Sequence, residues 1–211
     1  MGPANGGPSA DVAARLAALR RKERERVAKR LHERGRNLYE QGKVEEAITR
    51  LRQAVAMSAS LPVSEQAAVA NHDLGVAYYA AERHSEAVQS YNEALWLYRQ
   101  LENREGQARV LDHLGRAYEG LGDYASADEG YRASIEVWEE LGKRDKVAAV
   151  LERLGASQAA AGQYEAALAT YERSLDLFRE LGSVEKLEEL KDAIADVEKL
   201  ARQSGPGPGT S

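Results

Sequence analysis

Residues 74–94 read LGVAYYAAERHSEAVQSYNEA, and the pattern returns as LGRAYEGLGDYASADEGYRAS at residues 114–134 and as LGASQAAAGQYEAALATYERS at residues 154–174. Each copy begins forty residues after the previous one, and a less regular copy precedes them from about residue 34. A fixed period of about 20–50 residues is typical of stacked supersecondary units, so we expect one elongated array of four repeats. The columns in phase are Gly35, Gly75, Gly115 and Gly155; Ala47, Ala87, Ala127 and Ala167; Leu61, Leu101, Leu141 and Leu181; and Leu51, Tyr91, Tyr131 and Tyr171.

The composition of the 211-residue chain narrows the class of protein. The absence of cysteine excludes disulfides, thiolate catalysis and cysteine-ligated zinc. No apolar run approaches the roughly 18 residues of a membrane span, and no signal-peptide core is present, so we expect a soluble, cytoplasmic protein. The net charge of −5 favours solubility and gives no reason to expect nucleic acid as a partner.

Each repeat is predicted to alternate helix, tight turn and helix. Glycine at positions 42, 122 and 162 fits the left-handed residue that ends a first helix. The second helices are predicted at residues 44–58, 84–101, 124–141 and 164–181. The predicted organisation is a disordered tail at 1–8, a basic helix at 9–27 with Ser9 as its N-cap, repeats at 28–67, 68–107, 108–147 and 148–183, a capping helix at 184–203, and a disordered tail at 204–211.

The small and aromatic columns predict where the helices meet. Gly115 and Ala127 lie on the two helices of one hairpin, so we expect them to face each other at a close crossing. Tyr98, Trp138 and Phe178 are also forty residues apart and are expected to seal each repeat against the next element.

These columns resemble the tetratricopeptide repeat, whose signature has leucine, glycine and tyrosine on the first helix, then alanine, an aromatic and a small residue on the second. In the second repeat the matching residues are Leu74, Gly75, Tyr78, Ala87, Tyr91 and Ala94. The resemblance covers about residues 28–203 and implies an all-α, right-handed superhelical solenoid of helix–turn–helix repeats. The forty-residue period exceeds the usual 34 and resembles the long-repeat class. That class includes spindle-orientation adaptors, ciliary proteins, kinesin light chains and bacterial peptide-sensing regulators.

In this family the first helices line a concave groove that binds partners. The residues that the resemblance assigns to the groove are Lys29, His32, Arg36, Tyr39, His72, Asp73, Tyr79, Arg109, Asp112, His113, Arg116, Glu152 and Arg153. Arginine forks suit carboxylates, and tyrosine adds apolar area with a polar tip, so an acidic peptide or helix would fit. The alternative is that these residues form an ordinary solvated face.

Other kinds of chemistry find less support in the sequence. His32, His72, Asp112 and Glu152 share a column and are metal-ligand types. Groove helices lie about 10 Å apart, whereas two ligands of one zinc ion lie within about 4 Å of each other, so we expect no metal and no cofactor. No Ser–His–Asp order, phosphate loop or paired-carboxylate motif is present, which predicts a non-enzymatic protein.

The stretch RRKERERVAKR at residues 20–30 has seven basic and two acidic residues and is the clearest charge asymmetry of the chain. It is either a solvated helix that extends the array or a contact to an acidic surface such as tubulin, nucleic acid or anionic lipid. The function predicted from the sequence is an adaptor that binds a peptide or helix of another protein in its groove. The alternatives are a structural subunit of a larger assembly, for example a ciliary or axonemal one, and a peptide-sensing regulator.

Overall fold

The computed structural model describes residues 9–204, and within that range it contains nine α-helices and no strand. Helices account for 86% of the described residues, which confirms the predicted all-α fold. The predicted tails at 1–8 and 204–211 lie outside the described residues, except that Ser204 is the last residue of the final helix. The helices are α1 (Ala10–Glu40), α2 (Val44–Ser58), α3 (Glu65–Ala80), α4 (His84–Gln100), α5 (Arg104–Gly120), α6 (Tyr124–Glu140), α7 (Arg144–Ala160), α8 (Tyr164–Glu180) and α9 (Val184–Ser204).

The helices pack in chain order as a solenoid of hairpins. Helices α1 and α2 form one hairpin, as do α3 and α4, α5 and α6, and α7 and α8, and each hairpin packs on the next. Helices α1 and α3 also touch each other, as do α3 and α5, so the first helices share one face of the array. The predicted second helices agree with α2, α4, α6 and α8 to within one residue at either end. Between residues 9 and 204, no helix has both the length and the apolar content to cross a membrane.

The turns inside the hairpins have a left-handed residue at the same position in all four repeats. Gly42, Gly122 and Gly162 each have a φ of 75°. Glu82 takes the same conformation with a φ of 58°, although it has a side chain. The residue after Gly42 donates its backbone N–H to the carbonyl of Leu38, which closes the end of α1 as a Schellman motif. The second repeat therefore has the same turn without the residue type best suited to it.

The close contact inside each hairpin joins the glycine column to the column of Leu51, Tyr91, Tyr131 and Tyr171. A Cβ atom added to Gly115 would lie 2.7 Å from Cδ1 and Cε1 of the Tyr131 ring. Gly155 meets Tyr171 in the same way, at 2.7 and 2.8 Å. The close crossing expected at Gly115 is present, but the atoms nearest to it belong to Tyr131 and not to Ala127. The two columns are sixteen residues apart, which sets the aromatic ring directly over the bare backbone.

The predicted seals between successive repeats are present. The Tyr98 ring lies on the backbone of Gly106 in α5, at the junction between the second and third repeats. Trp138 belongs to the buried cluster that includes Val147 and Val150 of α7. Phe178 packs in a cluster with Leu190 and Val197 of α9, which are 1% and 4% exposed. Helix α9 therefore covers the apolar end of the fourth repeat.

Candidate functional site

The first helices are joined by side-chain pairs that span adjacent repeats. His32 of α1 contacts Asp73 of α3, His72 of α3 contacts His113 of α5, and Asp112 of α5 contacts Arg153 of α7. Each pair joins residues 41 positions apart, one more than the repeat period. We call these three pairs the groove ladder. Six of the thirteen predicted groove residues therefore bind one another.

The first two pairs of the ladder form a continuous hydrogen-bonded chain. Nε2 of His32 lies 2.7 Å from Oδ2 of Asp73, and Nδ1 of His72 lies 3.2 Å from Oδ1 of the same carboxylate. Nε2 of His72 lies 2.9 Å from Nδ1 of His113, and the two rings stack with centroids 4.9 Å apart. A carboxylate only accepts, so both neighbouring histidines donate to Asp73. A neutral His72 then accepts at Nε2, and His113 donates its Nδ1–H.

Burial and hydrogen bonding determine the charges of Asp73 and His113 in this hydrogen-bonded series. Burial by itself would raise the pKa of Asp73, but the hydrogen bonds from His32 and His72 outweigh it and hold the pKa well below its usual value. Burial lowers the pKa of His113 to about 3, and the positive charge of the nearby Arg116 adds to this effect. At neutral pH the chain therefore has an ionised Asp73 and a neutral His113.

The third pair is a two-pronged ion pair. Nε and Nη2 of Arg153 each donate to one oxygen of the Asp112 carboxylate at 2.8 Å. Burial raises the pKa of Asp112, and the adjacent Arg153 opposes that shift. One position earlier, Glu152 accepts from Nζ of Lys186 in α9 at 3.2 Å. These contacts hold α7 against both α5 and the capping helix.

The part of the groove that stays open lies near the C-terminal ends of α1, α3 and α5. The Arg116 guanidinium lies 4.8 Å from the centroid of the Tyr79 ring, and Arg116 forms no ion pair with any described residue. Arg36, with 56% of its side chain exposed, reaches Glu40 only at 3.7 Å and Asp73 only at 3.8 Å. Tyr39 and Tyr79 are half-buried. We call Arg36, Tyr39, Tyr79 and Arg116 the open platform.

The remaining predicted residues lie toward the other end of the first helices. Lys29 is 3.9 Å from Glu33, and Arg109 is 3.3 Å from Glu105, and both cations are largely exposed. Arg109 lines a pocket of about 510 Å³ between α5 and α7 together with Asp112 and Arg153. The sequence-based assignment missed the other residues that line this pocket, among them Trp138, Lys143 and Lys146.

The histidines of the groove are hydrogen-bond partners within the groove ladder. Within residues 9–204, no group of three or more histidine, cysteine, aspartate or glutamate side chains is placed to hold a metal ion. His72 uses both ring nitrogens, and His32 and His113 use one each, in the hydrogen bonds of the groove ladder. The signal that could have revealed this arrangement is the 41-residue spacing of complementary residues, which a search at the repeat period itself overlooks.

Comparison with known proteins gives both a sequence match and structural neighbours. A family model described as tetratricopeptide repeat matches residues 26–100, 65–129 and 106–180. No curated protein sequence matches the chain. One similar structure is described as the nearly identical TPR-like repeats of a kinesin light chain from Podosopora anserina. Its sequence is 21% identical to this chain, and the TM-score is 0.66 over 85% of this chain and 93% of that one.

Two Rap structures are also similar. The apo form of RapI is 17% identical, with a TM-score of 0.75 over 83% of this chain and 64% of that one. A Rap protein complexed with competence and sporulation factor is 14% identical, with a TM-score of 0.60 over 82% of this chain and 54% of that one. This chain therefore spans less than two thirds of the length of either Rap protein, and at these identities the likeness concerns the fold alone.

Proposed function

This chain belongs to the tetratricopeptide repeat family, and we propose from its groove that it is a non-enzymatic scaffold for a peptide or helix of another protein. The groove ladder and the open platform have different roles in this proposal. The ladder residues already hydrogen-bond to one another, so a ligand that took over those same atoms would have to break hydrogen bonds of 2.7 to 2.9 Å. The platform residues are the ones that a ligand can contact without such a loss.

The observation that carries the proposal is the exposed Arg116 guanidinium stacked on Tyr79. Stacking holds the planar fork in place while its donors stay free, which suits a carboxylate. Arg36 has only long ion-pair contacts, so it can turn toward a second acidic group. Tyr39 and Tyr79 offer apolar area between the two cations. An acidic segment with at least one apolar side chain is the ligand that these groups complement.

The experiment compares proteins captured from a lysate by the wild type, by a groove variant and by a charge-matched control. The groove variant is Arg36→Glu, Arg109→Glu and Arg116→Glu. The control is Arg99→Glu, Arg132→Glu and Arg173→Glu, which makes the same change of charge on the second helices. Acidic segments of the proteins lost only with the groove variant are then synthesised and titrated against the wild type by fluorescence anisotropy.

We expect the groove variant alone to lose its partners, and we expect binding of the synthetic segments to weaken with added salt, since exposed ion pairs are screened. Melting temperatures of all three proteins should agree within a few degrees, because exposed charges contribute little to folding. An identical set of captured proteins with the groove variant and the wild type would refute the groove as the binding site.

A structural subunit is a second candidate, and one observation favours it. Trp96 on α4 is 49% exposed and stands beside a cleft between α2 and α4, formed by two adjoining pockets of about 610 and 430 Å³. An exposed tryptophan beside an apolar cleft is typical of interface anchors. Trp96→Ser would then abolish incorporation into the assembly, whereas the groove variant would not.

A further inference from the structure

Helix α1 continues well beyond the helices that pack on it. It has 31 residues, whereas α3 has 16. Residues 10–24 are all exposed, and Arg24 reaches only Ser60, just past the end of α2, at 3.4 Å. At about 1.5 Å per residue, the fourteen residues before Arg24 project about 21 Å from the array. This projection is fixed in direction, because the same helix is packed into the first repeat from Ala28 onward.

The projection has a narrow apolar stripe. Val12, Leu16 and Leu19 are 44%, 44% and 64% exposed. Their spacing of four and three residues is that of positions d, a and d in a heptad. At about 100° per residue, the stripe lies roughly 160° around the helix from the side on which His32 and Gly35 are buried. The stripe therefore points away from the protein's own repeats, and none of them can cover it.

The charged residues beside the stripe all have the same sign. In this heptad register the flanking e and g positions hold Ala13, Arg15, Arg20 and Lys22, and Glu23 at the next a position ends the apolar stripe. Arg15 is 3.1 Å from Asp11, whereas Arg20 and Lys22 form no ion pair in the part of the chain that the structure describes. Flanking charges select the partner in a coiled coil, and cations select acidic flanks.

We propose that residues 10–24 are a second binding surface, separate from the groove, that forms a short coiled coil with a helix carrying apolar a and d positions and acidic e and g positions. A second copy of this chain fits poorly, because Arg20 and Lys22 would face cations again. An anionic membrane also fits poorly. The stripe is the width of a coiled-coil seam, and it lacks the broad face with aromatic residues that membrane-surface helices present.

The test uses the full chain and two synthetic three-heptad peptides with leucine at a and d. One peptide has glutamate at e and g, and the other has lysine there. Fluorescence anisotropy should show binding of the glutamate peptide and at least about tenfold weaker binding of the lysine peptide. The double variant Leu16→Ser and Leu19→Ser should bind the glutamate peptide at least about tenfold more weakly, because each loses a leucine from the seam.

Charge reversal tests the flanks directly. Arg15→Glu, Arg20→Glu and Lys22→Glu together should exchange the preference, so that the lysine peptide binds better than the glutamate peptide. The control Lys43→Glu with Arg99→Glu changes exposed charges elsewhere and should keep the wild-type preference. All variants should melt like the wild type, because the altered side chains are exposed.

Four results would overturn the proposal. The first is equal binding of both peptides, and the second is unchanged binding of the glutamate peptide by the leucine variant. The third is that neither peptide binds, whereas the protein binds phosphatidylserine vesicles or forms a dimer in sedimentation, and that this binding or dimer depends on Leu16 and Leu19. Loss of peptide binding with the groove variant would also contradict it, since the two surfaces are separate.

Discussion

Gly115→Ala should destabilise the protein even though alanine is the better helix former. The new Cβ would lie 2.7 Å from Cδ1 and Cε1 of Tyr131 and 3.0 Å from its Cγ. Carbon atoms in contact are normally about 3.5–4.0 Å apart, so the overlap is close to 1 Å. The Tyr131 ring is fully buried, and its hydroxyl donates to Glu119 at 2.9 Å, which restrains the ring from moving aside.

Two opposing effects set the magnitude. The exchange of glycine for alanine inside a helix gains about 1 kcal/mol, whereas overpacking a buried contact costs about 1–3 kcal/mol. We expect a net loss of up to about 2 kcal/mol in the free energy of unfolding. For a chain of this size that lowers the melting temperature by about 2–4 °C per kcal/mol.

A double-mutant cycle separates the two effects. In a Tyr131→Ala background the ring is gone, so Gly115→Ala should become stabilising by about 1 kcal/mol, the helix-propensity gain alone. The free energies come from urea unfolding followed by circular dichroism at 222 nm, a wavelength typical of helices. The same sign of effect in both backgrounds would refute the contact as the reason for glycine at this position.

The remaining predictions concern the turns, the groove and the cap. Glu82 and Glu102 have left-handed backbone conformations, with φ of 58° and 53°, although they have side chains. Glu82→Gly and Glu102→Gly should therefore each raise the melting temperature, through a gain in stability of about 0.5–1 kcal/mol. No gain in calorimetry would contradict this prediction. Burial holds the pKa of His113 at about 3, against 6.5 for an exposed histidine. The unfolded chain thus binds this proton at higher pH than the folded one, so stability falls as the pH drops from 6.5 toward 3, by up to about 1.4 kcal/mol per pH unit. His113→Gln should flatten that part of a plot of unfolding free energy against pH, and an unchanged slope would be inconsistent with a buried neutral His113. Deleting residues 184–211 should uncover Phe178 and give aggregation or loss of helix α8, whereas a truncated protein that stays monomeric and fully helical in sedimentation and circular dichroism would disprove the capping role.

The repeat period carried most of the information about the fold. Glycine at positions 42, 122 and 162 predicted where the first helices end, and the structure has left-handed turns there. The turn at Glu82 is regular in the structure although its sequence has no glycine, because packing of the hairpin overrides the local preference of one residue. Periodicity identifies helix ends well, since it averages over several copies.

Contacts between columns were harder to predict. The small side chains of Gly115 and Ala127 predicted a close helix crossing. The pattern does not fix the relative position of the two helices along their axes, and in the structure this position places Tyr131 over Gly115. The groove has the same difficulty. Residues such as His32 and His72 share a column, yet the rotation between successive hairpins shifts the contact by one position, to Asp73 and His113. The residues that a partner contacts, on the open platform and on the projection of α1, stay predictions.

The 41-residue stagger of the groove ladder bears on how such an array can change during evolution. Tandem duplication produces units of equal length that are, at first, exchangeable. Here each junction has its own chemistry, since His32 requires a carboxylate and Asp112 requires a cation in the following unit. Loss of one whole period, for example residues 68–107, would keep every helix in phase but would set His32 opposite the imidazole of His113 instead of the carboxylate of Asp73. The four units thus differ at the ladder, and a recombination that left every hairpin intact would still exchange the partners of His32 and Asp112.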